Sequence, residues 1–215
     1  MQQAIDHPRP GFSSSALARA GLCAAWLLAA GVSQAQTQTQ VQTQGASTEA
    51  PATSSATGET NADLRELLPQ HKLSGKGRLT VFGFDVYDAS LWVTPGFKAD
   101  RLTAQPFALE LAYLRNFTNT DIAERSIVEM RRSASISDTQ AKDWTAAMLR
   151  VIPNVKKGDR ITGVYRPGKG VDFLVNGKSA GEIMDAEFAR LFFGIWLSPK
   201  TSEPKVRSAL LAGVM

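Results

Sequence analysis

"GDRITGVYRPGKGVDFLVNGKSAGEI", residues Gly158 to Ile183, carries two turn signals inside one alternating run. Pro167 to Gly170 (PGKG) separates RITGVY from VDFLV, and Asn176-Gly177 separates VDFLV from KSAGEI. Asn-Gly is a strong hairpin signal, because both central residues of the favoured two-residue turn need positive φ. The stretch therefore predicts three strands joined by tight turns. Such turns make antiparallel neighbours and leave no room for the helical crossover of a parallel array.

Working outward, Pro106 to Phe117 (PFALELAYLRNF) alternates more cleanly: Phe107, Leu109, Leu111, Tyr113 and Arg115 share a face that is apolar until its last member. Further back, "GRLTVFGFDVYDASLWV" (Gly77 to Val93) reads as two strands with Gly83 between them as a bend or bulge. Tyr87, Ala89, Leu91 and Val93 take one face of the second strand; Val86, Asp88, Ser90 and Trp92 take the other. Asp85 and Asp88 form no evident carboxylate pair and are expected in solvent or bonded to turns. Leu64 to Leu68 reads as a helical turn stopped by Pro69.

Between the strand groups, Thr118 with Asp121 and Ser137 with Gln140 have the spacing of capping boxes and predict two helices. Ile122, Ser126, Ile127 and Met130 face inward on the first; Ala141, Trp144, Met148 and Val151 do so on the second. After the meander, Asp185 caps a helix with Phe188, Leu191, Phe192 and Ile195 at helical spacing, and KVRSALLAG makes a short last one. The fold class is α+β, an antiparallel β-sheet covered by helices.

The 215-residue chain divides by composition into three parts. Residues 1–35 read as a signal peptide: Arg9 and Arg19 precede the apolar run Ala20 to Ala30, and Ser33 to Ala35 (SQA) supplies a cleavage site. That run is short for a permanent span of about 20 residues. Export to the periplasm or the exterior of a bacterial cell is the expectation, with no transmembrane segment after processing. Residues 36–62, rich in Gln, Thr, Ser and Ala, have too few large apolar side chains to order and read as a linker. Residues 63–215 form the folded domain.

The single cysteine, Cys23, falls in the apolar run, and "AGLC" reverses the order a lipoprotein signal requires. A domain without cysteine has no disulfide, thiol nucleophile or thiolate site. One histidine, His71, follows the signal peptide, so no metal site built on histidine or cysteine and no Ser-His-acid triad is expected. No cofactor motif is present: PGKG is a turn, not a phosphate loop. The net charge of +4 is mild and scattered. It fits attraction to anionic surfaces better than nucleic-acid binding, which needs cations gathered on one element.

Four stretches in order, "GRLTVFGFDVYDASLWV", "FALELAYLRNFTNTDIAERSIVEMRR", "IPNVKKGDRITGVYRPGKGVDFLVNG" and "FARLFFGIWLSPKTSEP", resemble the bacterial exported branch of the chalcone isomerase-like proteins. The resemblance runs from Lys72 to Leu211. It implies an open-faced β-sandwich with a cleft for a small apolar molecule; relatives either close a flavonoid ring or bind fatty acids. Arg78 is similar in placement to the Arg that holds the reacting oxygen in the plant enzymes. Gly83 stands where they have a Thr, Thr120 or Asp121 where they have the catalytic Tyr, and Ser126 or Ile127 where they have an Asn.

Ring closure needs a developing charge stabilised and a proton moved in fixed geometry. Without that Tyr, no catalytic residue is assigned. The expected function is an exported, non-catalytic binding protein for a small amphiphile such as a fatty acid. Arg78, Tyr113 and Arg115 are the expected ligand contacts, since a guanidinium at the mouth of an apolar cleft can grip a carboxylate with two hydrogen bonds. An isomerase or intramolecular lyase acting on a chalcone-like phenolic substrate is the first alternative, and an interaction protein that reaches an envelope partner through the linker is the second.

Overall fold

The computed structural model describes residues 64–214, and the signal peptide and linker expected at residues 1–35 and 36–62 lie outside them. Six strands form one sheet in sequence order, β1 (Lys72–Val81), β2 (Phe84–Val93), β3 (Phe107–Tyr113), β4 (Arg160–Arg166), β5 (Gly170–Val175) and β6 (Lys178–Ile183). Every neighbouring pair is antiparallel. Asn176 and Gly177 at the β5–β6 turn have φ of 50° and 82°, as the Asn-Gly signal requires.

The helices are α1 (Asn119–Met130), α2 (Asp138–Val151), α3 (Ala186–Leu197) and α4 (Pro204–Leu210). Both expected capping boxes form, Thr118 with Asp121 and Ser137 with Gln140. Asp185 caps α3 by accepting from the backbone N–H groups of Glu187 and Phe188. α1 and α2 connect β3 to β4, and together with α3 and α4 they cover one face of the sheet.

That covered face holds the main core: Ala89, Leu91 and Val93 from β2, Phe107, Leu109, Leu111 and Tyr113 from β3, and Phe188, Leu191, Phe192, Phe193 and Trp196 from α3. Gly75 decides where α4 can lie, since a Cβ there would stand 2.0 Å from the Ala209 carbonyl oxygen. The other face is divided. Leu64 and Leu68 cover Ala108, Val164 and Leu174, with Trp92 packed alongside and His71 edge-on to its ring at 5.4 Å. Beyond that patch the face is a polar groove of Lys76, Arg78, Asp88, Ser90, Glu110 and Arg160.

Two readings from sequence change. Gly83 is not a bulge: Phe82 and Gly83 are the two residues of a hairpin turn, and the register shifts lie between Leu73 and Gly75 and between Leu79 and Thr80. Asp85 and Asp88 stay half-exposed, as expected, but are bonded to a strand residue rather than to turns. With that turn, the register sets Asp88 opposite Arg78, and both acids bind its guanidinium.

Candidate binding cavity

α3 is apolar along its inner side, and Phe193 reaches the sheet where Gly163 lacks a side chain, its ring 3.1 Å from where a Cβ would be. Phe107 opens β3 and stacks on Tyr165 of β4, with centroids 4.9 Å apart and an interplanar angle of 16°. Phe193 meets both rings edge-on, at 4.8 and 5.6 Å. Edge-to-face pairs add stability beyond the area they bury, so the three rings make a fixed wall.

A 3-10 segment, Ala99–Ala104, lies near that wall, with Ala99 and Leu102 packed against the core. Between them is a half-enclosed cavity of about 190 Å³, lined by Leu102, Phe107, Tyr165, Leu191, Phe193 and Gly194. Thr103, Ser133, Arg190 and Ser198 form its polar margin. Arg190 is exposed and only loosely engaged, 3.9 Å from Glu187 one turn earlier on α3. Burial pushes the Tyr165 phenol above its usual value, opposed by the Gly168 backbone and the Arg190 charge.

Ser133 also lines an open basin outside the mouth, with Arg131, Arg132 and Lys200 around it. Arg131 is paired with Asp138 at 3.0 Å and Arg132 with Glu129 at 3.6 Å, whereas Lys200 joins no ion pair among the described residues. The arrangement is greasy inside and cationic at the rim. It can hold an apolar group with an anionic head at the mouth.

A second polar cluster lies deeper under the helices. Tyr87 and Tyr113 are edge-on at 6.1 Å, and the Trp196 indole N–H donates to the Tyr87 hydroxyl oxygen at 2.8 Å. Burial, above all, drives both phenols well above their usual range, so each keeps its proton. Glu129 is buried nearby, bound by Arg125 at 2.5 Å, by Arg132 and by the Ser202 hydroxyl at 2.9 Å. Burial first, then the Glu129 charge, raises the Glu203 carboxyl.

The residues expected at the site are not brought together. Arg78 lies on the uncovered face, held by both Asp88 oxygens at 2.6 and 2.9 Å and by Asp85 at 2.8 Å. Tyr113 is in the main core against Tyr87 and Phe117. Arg115 is exposed beyond the end of β3, its guanidinium carbon 4.9 Å from the Phe84 ring centre. None of the three lines the cavity. Gly83 is spent on a turn and Asp121 on a helix cap. The cavity's cation, Arg190, was hidden in "FARLFF" as a charge on the outer side of an apolar helix. Among the described residues, no group of three His, Cys, Asp or Glu could hold a metal ion.

Residues 60–212 match the family model for chalcone isomerase-like proteins. The chain belongs to the chalcone isomerase-like family. An uncharacterized protein of Haemophilus influenzae (strain Rd) is 25% identical over 137 residues, 64% of this chain and 66% of that one. This chain thus spans about two thirds of that relative's length. The crystal structure of a fatty-acid binding protein from Arabidopsis thaliana has a TM-score of 0.52 at 12% identity, covering 68% of this chain and 89% of that chain. At that identity the likeness shows the fold: a chalcone isomerase-like antiparallel sheet with helices.

Proposed function

We propose that this member of the family is an exported binding protein for a small amphiphile such as a fatty acid, which enters the cavity tail first and leaves its acidic head at Arg190. The observation that carries the reading is an apolar cavity of about 190 Å³ whose mouth holds a loosely paired arginine. A dry cavity of about 150 Å³ takes benzene, and sites for drug-sized ligands run from about 300 Å³ upward. The cavity thus suits one ring or a short alkyl segment. The fatty-acid binding relative from Arabidopsis thaliana supports this ligand class through shared architecture.

The test is displacement of a fluorescent fatty acid by unlabelled acids of increasing length and by the matching alcohols. Arg190→Glu should weaken the acids about tenfold or more and leave the alcohols nearly unchanged. Equal loss for both, or no binding at all, would contradict the proposal.

A further inference from the structure

We propose that the end of the sheet carrying the β1–β2 turn docks on an anionic lipid membrane. Phe82 and Phe84 stand at that turn, 73% and 55% exposed. Phe82 holds a φ of 50°, a conformation that aromatic residues rarely adopt and that Asn or Gly would take with less strain. An exposed aromatic is thus kept at a position where local conformation favours another residue.

The same end gathers cations. Arg115 lies over the Phe84 ring, and the next residue, Asn116, accepts from the Lys157 backbone N–H at 2.9 Å, tying the 156–159 turn beside it. Lys178 begins β6 at this end as well. Arg115, Lys156, Lys157 and Lys178 are all exposed and in no ion pair among the described residues. The acids there are engaged: Asp85 and Asp88 by Arg78, and Asp159 by the Lys156 backbone N–H, by Asn176 and, more weakly, by the Lys156 charge, which together hold its carboxyl below the usual range.

Two protruding rings among unpaired basic side chains match a bilayer surface, where aromatics enter the interface and Lys and Arg meet anionic headgroups. A protein partner would call for a broader, well-packed patch than one turn presents. The surface is separate from the cavity and its docking does not depend on a ligand there.

The full chain is tested by flotation with phosphatidylcholine vesicles, with and without phosphatidylglycerol. Residues 1–63 are the same in the parent and in the Phe and Lys variants, so differences among these report on the folded domain. The parent should prefer the phosphatidylglycerol vesicles, Phe82→Ser with Phe84→Ser should weaken partition about tenfold, and Lys156→Glu with Lys157→Glu should remove the preference for anionic lipid. A polarity-sensitive dye on Phe82→Cys in a Cys23→Ser chain should shift to the blue on those vesicles only. Unchanged partition in the variants, indifference to phosphatidylglycerol, or a dye that stays in water each overturns the proposal and leaves the patch to a protein partner.

Discussion

Tyr87 shows how much one polar contact inside this core can matter. Its hydroxyl oxygen is the acceptor for the Trp196 indole N–H, in surroundings that raise the phenol's pKa by burial. Tyr87→Phe keeps the ring and leaves that N–H unpaired, which should cost about 1–3 kcal/mol. Chemical denaturation should show a lower midpoint with an unchanged slope; an unmoved midpoint would mean that water replaces the hydroxyl. Tyr87 was legible as a core residue because it alternates with Ala89 and Leu91. Its partner was not, since Trp196 lies on a helix more than 100 residues later.

Elements were the most legible level, because their signals are local. Capping pairs three residues apart and the Asn-Gly turn act within a few residues, and α1, α2 and the β5–β6 hairpin form where those signals place them. The β1–β2 hairpin escaped because Phe82 is a poor turn residue. With that turn unread, the register was unknown, and Arg78 looked free when it faces Asp88 across the ladder. The docking of α4 rests on Gly75 in the same hairpin. Gly75→Ala would press a Cβ against the Ala209 and Leu210 backbone, where no flexible side chain can yield. The substitution should cost at least about 2 kcal/mol. Faster amide exchange along residues 204–210 should accompany the loss, and native protection there would contradict this account of the α4 contact.

At the scale of the whole molecule, a sequence shows which faces are apolar but not where two of them fail to meet. The cavity lies where Leu102 and Thr103, from a 3-10 segment that periodicity did not reveal, come near the Phe107, Tyr165 and Phe193 rings. Its cation comes from the outer side of α3, whereas the family resemblance pointed to Arg78 and the strand pattern to Arg115. The two polar regions outside it differ in kind: the groove on the uncovered face is occupied by its own ion pairs, Arg78 with Asp88 and Arg160 with Glu110. The rim of the cavity keeps Arg190, and the basin beside it Lys200, largely unspent.

Gly194 offers the most direct test of whether that cavity is the binding site. It lines the cavity on α3, and a Cβ there meets only Ser198 Cβ, at an ordinary 3.7 Å, so a larger side chain can be placed among the lining residues. Replacing a mid-helix glycine also removes a cost of about 0.5–1 kcal/mol. Calorimetric titration of a medium-chain fatty acid into the parent and into Gly194→Leu should show binding with a negative heat-capacity change in the parent, and affinity at least about tenfold lower in a variant that melts no earlier. Equal affinity in the two proteins would place the ligand elsewhere and contradict the account.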